Sequence, residues 1–171
     1  MHITLIMIEL STIRDVVAIA GVLIALTYYI INIRNQRETR QAQLFMNLYD
    51  TRRNSEFQKQ YTNLCNRTWT NPEEWNQKYG PITNPDASSE MQSVMEFYNG
   101  AGVLLKRGLI NIEMANDLLY GSTKRIWEQF EPAIRYIRTQ TTWNPDTWIF
   151  FEYLYLELMK YHETHQESIL K

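Results

Sequence analysis

Two histidines near the C-terminal end, His162 and His165 in "HETHQE", are the first residues whose types could do chemistry. A zinc hydrolase of the His-Glu-x-x-His type needs its histidines at i and i+4, with the glutamate as base. Here the second histidine falls at i+3 and no third ligand stands nearby, so an amphipathic helix tail accounts for both. The Glu-x-x-His pairs of di-iron bundles do not occur in the chain. Gly100-x-Gly102 opens like a dinucleotide fingerprint, but Leu105 stands where the third glycine belongs and no strand precedes it. Gly121-Ser122-Thr123-Lys124 lacks the Walker spacing. Gly100, Ala101 and Gly102 instead suit the close approach of another helix.

Cys65 is the sole cysteine, which excludes a disulfide framework and a thiolate zinc site. It shares an apolar helix face with Leu64 and reads as core. No Gly-x-Ser-x-Gly elbow occurs. Glu152, set among Phe150, Phe151, Tyr153 and Tyr155, is the acid most open to a functional role. A buried carboxylate without a partner is costly, so either an arginine from a neighbouring helix or simple exposure of that edge is expected. No catalytic residue, metal or cofactor is expected on this reading.

The elements that must position these residues are dominated by one segment. "VVAIAGVLIALTYYIINI", residues 16–33, carries no charge, and "RNQRETR" follows at once. As a helix it is about 27 Å long, close to the thickness of bilayer hydrocarbon. Its ten Val, Ile and Leu residues favour insertion by roughly −3 to −6 kcal/mol before the cost of Asn32. A soluble core helix of this length would show a polar face. No Lys or Arg precedes Arg14 and no small-x-small site follows the run, which argues against a cleaved signal. Residues 1–15 read as a short apolar flank, 16–33 as a transmembrane helix, and 34–54 as a helical extension. Residues 55–171 read as a cytosolic helical domain.

Arg34, Arg37, Arg40, Arg52 and Arg53 follow the run, whereas Arg14 alone precedes it. That bias places the C-terminal body in the cytoplasm and the N-terminus outside, at the cell membrane. The sequon Asn66-Arg67-Thr68 would need the opposite orientation, and the arginines outweigh it. Arg34, Arg37 and Arg40 serve either as a topology signal or as contacts for lipid headgroups. Within the run, Ala18, Gly21, Ala25, Tyr28 and Asn32 follow i, i+3, i+7, i+10, i+14 spacing and form one stripe. Small residues allow close backbone approach and an amide in lipid seeks a partner, so a second transmembrane helix is expected against this stripe.

Past the membrane the chain reads as all-α, a bundle of about six helices. Ser55 with Gln58 forms a capping-box pattern. Asn71-Pro72-Glu73, Asn84-Pro85-Asp86 and Asn144-Pro145-Asp146 mark three further helix starts. A helix from Pro85 to Arg107 ends on a glycine stop at Gly108. Ile112–Tyr120 reads as a short helix stopped by Gly121, and Ser122 opens the next, kinked at Pro132. "WIFFEYLYLELM", residues 148–159, is too short and too acidic for a second span and reads as the centre of the bundle. The net charge of −2 gives no basic stripe for nucleic acid.

The order of "IINIRNQRETRQAQ", "SEFQ", "KRGLI", Trp127 and "FEYLY" resembles a prokaryotic family known only as a domain of unknown function. The resemblance implies a single-pass membrane protein with a small helical body, and it brings no activity. A non-enzymatic, membrane-tethered protein acting through protein–protein contacts, such as an accessory subunit of a membrane complex, is the expectation. The alternative is a membrane-anchored enzyme or ligand sensor with a site in the bundle. For the stripe, Gly21→Ile is expected to weaken association with a partner helix severalfold in a membrane two-hybrid or crosslinking assay. Unchanged association would refute the contact.

Overall fold

The computed structural model describes residues 2–141 and 143–169, with side chains described from residue 14 to residue 165 apart from 142. Among the described residues there are six helices: α1 His2–Arg53, α2 Ser55–Cys65, α3 Pro72–Tyr79, α4 Pro85–Lys106, α5 Ile112–Thr139 and α6 Ile149–Ile169. Among the described residues there is no strand, so the all-α reading holds. The chain divides into two compact units, Met1–Ala42 and Gln43–Lys171. The apolar flank at residues 1–15 falls within α1 by backbone, but side chains 1–13 lie outside the described residues.

The second unit is a bundle in which α4 and α5 both pack on α6. Helical spacing gathers Val94, Met95, Tyr98 and Ala101 of α4, Ile126, Phe130 and Ile134 of α5, and Phe151, Leu154 and Leu158 of α6, all fully buried. Their rings interlock. Tyr98 stacks on Phe151 with centroids 5.1 Å apart, and Trp127 meets the same ring edge-on at 5.1 Å. Such pairs add about 0.5–1.5 kcal/mol beyond the area they bury. Leu44 and Leu48, in the last turns of α1, pack against this core. The expectation that α6 is central is met on its α4 and α5 sides. Ile149 and Leu156 nevertheless face solvent, so its apolar residues are not all enclosed.

Glycine sets the distance between α4 and α6. A Cβ built on Gly102 would stand 1.9 Å from the carbonyl oxygen of Phe150, so only hydrogen fits between the two backbones. Gly100, expected to share that role, faces open space instead. One turn away, Asn99 of α4 accepts hydrogen bonds from the backbone N–H groups of Phe150 and Phe151 at 3.1 and 3.3 Å. The exposed amides at the start of α6 are therefore capped by a side chain from another helix.

The helix starts differ in detail from the sequence reading. Asn71 and Asn84 cap α3 and α4 as expected, accepting from Glu74 N and Ala87 N. The capping box at Ser55 gives way to Asn54, whose side chain accepts from Glu56 N and Phe57 N. Its extended backbone leaves Ser55 already helical. Asn144-Pro145-Asp146 forms a tight turn rather than a helix start, with Asn144 accepting from Asp146 N at 2.8 Å. The reason is Trp148, a non-glycine residue at φ 55°, which turns the chain before α6 begins at Ile149. A left-handed residue costs roughly 1–2 kcal/mol. The Trp148 indole is buried and donates to Glu96 Oε1 at 3.0 Å, which offsets that cost.

Gly121 does not stop a helix. α5 runs through both Gly121 and Pro132, because Ser122 and Thr123 are buried and the Ser122 hydroxyl donates back to Leu119 O rather than capping a new start. At Gly108, by contrast, the glycine stop is present. Its φ of +64° lets Leu109 N bond Leu104 O and Gly108 N bond Leu105 O at 2.9 and 3.0 Å, the paired pattern of a Schellman motif.

Gly102→Ala should destabilise the full chain by about 1–3 kcal/mol or more, because backbone must move to admit the methyl group. Gly100→Ala should stabilise it by roughly 0.5–1 kcal/mol through helix propensity. Unfolding followed by circular dichroism in detergent compares the two, and an unchanged Gly102→Ala transition would contradict the close crossing.

Candidate functional site

The first unit presents the largest chemical anomaly in the chain. An 18-residue window of α1 has a mean hydropathy of 2.3 and none of it is buried. Ile24 and Tyr28 are each 71% exposed and Val17 is 65% exposed. Monomeric proteins in water seldom expose apolar patches beyond a few hundred Å². This helix is long and apolar enough to cross a membrane. The one hydroxyl of the uncharged run outside the tyrosines, Thr27, donates to Leu23 O at 2.8 Å, which satisfies it without an outside partner.

Ala18, Gly21, Ala25, Tyr28 and Asn32 all lie on α1 and all are exposed. A Cβ added at Gly21 meets nothing within 4 Å, so no part of the described chain explains that glycine. The five arginines after the run split into two groups. Arg52 sits over the Tyr61 ring at 5.1 Å and Arg53 over the Tyr49 ring at 5.8 Å. Arg34, Arg37 and Arg40 are exposed, and among the described residues no carboxylate pairs with them.

Glu152 is not an isolated buried acid. Its side chain is 25% exposed and accepts from Arg138 Nη1 at 2.5 Å, with Arg135 at 3.7 Å. Arg138 also donates through Nε to the carbonyl of Thr147 at 2.9 Å, tying the α5–α6 connection to the ion pair. The aromatic neighbours that made Glu152 conspicuous point largely elsewhere, Phe151 into the core and Tyr153 towards Lys106, whose Nζ lies 4.6 Å from the ring centroid.

The two histidines have separate partners. His162 stacks on Tyr120 of α5 at 3.9 Å, whereas His165 stacks on Tyr161 of its own helix at 4.1 Å. Among the described residues no group of three metal-binding side chains comes together. Cys65 is half-buried against the core, close enough to Tyr61 that burial and the thiol together push the Tyr61 hydroxyl up to about 12. A cleft of about 330 Å³ is lined by Asn76, Gln77, Ile82, Gln140 and Trp143, with Glu152 outside it.

Three anchoring side chains escaped the sequence reading. Arg67 is buried, donating to Ala87 O at 2.9 Å and to Glu90 at 2.7 Å. Burial lowers its pKa and Glu90 opposes that shift. Gln129 of α5 donates to the carbonyls of Arg67 and Leu64 at 3.0 and 3.3 Å, satisfying the end of α2. Asn99 caps α6 as described. Each is a polar residue with a partner twenty or more positions away; Asn99 and Gln129 interrupt apolar helical faces, whereas Arg67 lies in the loop after α2.

Arg138→Ala should cost about 1–3 kcal/mol, since it strands a partly buried carboxylate and a carbonyl. Glu152→Gln should cost less, because the amide oxygen still accepts from Arg138. Urea unfolding of the full chain measures both, and a double-mutant cycle with no coupling would remove the ion pair from the bundle's supports.

A family model for a domain of unknown function, DUF4760, matches residues 15–158. No curated protein matches the chain, and no solved structure does.

Proposed function

The chain belongs to this family of unknown function, and from that premise we propose a non-enzymatic, single-pass membrane-anchored helical protein that acts through protein–protein contacts, as an accessory subunit of a membrane complex. One observation carries the reading: the uncharged stretch of α1 exposes its apolar side chains on every side. A helix that is apolar all round belongs in lipid or inside protein, and no described residue covers this one. The arginines after the run support a cytoplasmic body and an outer N-terminus at the cell membrane. The small-residue stripe from Ala18 to Asn32 supports a partner helix, in a hetero-complex or a second copy.

The alternative, an enzyme or ligand sensor with a site in the bundle, draws less support. Its first candidate, Glu152, is already engaged by Arg138, and the rings around Tyr98, Trp127 and Phe151 interlock. Carbonate extraction of membranes expressing the full chain tests the anchor, with the chain expected in the pellet. Purification in mild detergent then tests the partner. A chain that washes off, or that runs as a solitary monomer, would sink the corresponding half of the proposal.

A further inference from the structure

We propose that Arg34, Arg37 and Arg40 form a collar that binds anionic phospholipid headgroups, which rests on the membrane-anchor reading and gives it a lipid class. Spacing of three spreads these side chains over about 9 Å along α1 and roughly 120° of its girth. The layer of headgroups on each side of the hydrocarbon is about 5–7 Å deep. Arginines that begin one residue after Ile33 therefore span that layer and the water next to it. Glu38 is the one acid between Arg34 and Tyr49, and it lies about 40° outside the basic arc.

The pairing of the arginines sharpens the argument. Arg52 and Arg53, further along, are held by the rings of Tyr61 and Tyr49. The three nearest the apolar run have no carboxylate or ring partner among the described residues, although Arg34 and Glu38 stand one turn apart. Three exposed guanidiniums beside an apolar helix complement a surface that is apolar within and negatively charged at its rim. Each planar fork can hold a phosphate oxygen pair, and each basic residue near such a surface favours binding roughly fivefold.

The experiment places the full chain in nanodiscs of mixed phosphatidylcholine and phosphatidylglycerol and counts retained lipids by native mass spectrometry. Phosphatidylglycerol should be retained about tenfold beyond its share at low salt, and the excess should fall as salt rises. Arg34→Gln with Arg37→Gln and Arg40→Gln should abolish the preference, whereas the three Lys variants should keep part of it. Equal retention of both lipids by the unaltered chain would overturn the collar, as would a triple Gln variant that keeps the preference. Inorganic phosphate that displaces the lipid at matched concentration would also overturn it, in favour of a soluble-phosphate site. Loss of the chain from carbonate-washed membranes is a separate result that sinks the anchor itself.

Discussion

The contact between Gly102 and the carbonyl of Phe150 is the constraint on which the bundle depends. Two backbones at this separation leave no room for a side chain, so α4 and α6 meet closely at one fixed level. That level brings Asn99 within reach of the first amides of α6 and lays Tyr98 on Phe151. It also fixes where α6 must begin. The turn at Asn144, the left-handed Trp148 and the Arg138–Glu152 pair all serve to deliver the chain to that starting point. Moving the crossing by one residue would unpair a helix terminus and a carboxylate at once, and unsatisfied buried polar groups cost about 1–3 kcal/mol each.

The two units differ in where their apolar residues lie. In Gln43–Lys171 most large apolar residues are inside, with Ile82, Ile149 and Leu156 among those exposed, and most ion pairs sit at the surface, the buried Arg67 paired with Glu90 being the exception. In Met1–Ala42 the described apolar residues are outside. The arginines record the same division, since those of α1 in the second unit rest on aromatic rings and those at the end of the first do not. A single helix label covers both regimes, which shows how little secondary structure alone says about environment.

Much of this was legible in the residues because it depends on local spacing. Helix type, the caps at Asn71 and Asn84, the glycine stop at Gly108 and the apolar run are all set within a few neighbouring positions. The family to which the chain belongs was legible from the order of such pieces. What failed was the weighing of local signals against distant ones. Gly121 reads as a stop until the burial of Ser122 and Thr123 holds the helix together across it. Asn144 reads as a cap until Trp148 turns the chain for the sake of Glu96 and the core. Asn99, Arg67 and Gln129 act across long separations, and no periodicity announces such partners. Glu152 was recognised as an acid in apolar company, and its arginine was anticipated in kind but not in number.

The order of these pieces along the polypeptide has a consequence for biosynthesis. The apolar run precedes every core residue of the bundle, while the crossing that closes the bundle joins α4 to a segment 51 residues further on. At about 5–20 residues per second, the ribosome takes several seconds to supply that second half. During the delay the greasy stretch is out of the tunnel and has no core to hide in. On the membrane-anchor proposal it would meet the insertion machinery alone, and the C-terminal unit would mature afterwards on a chain already inserted.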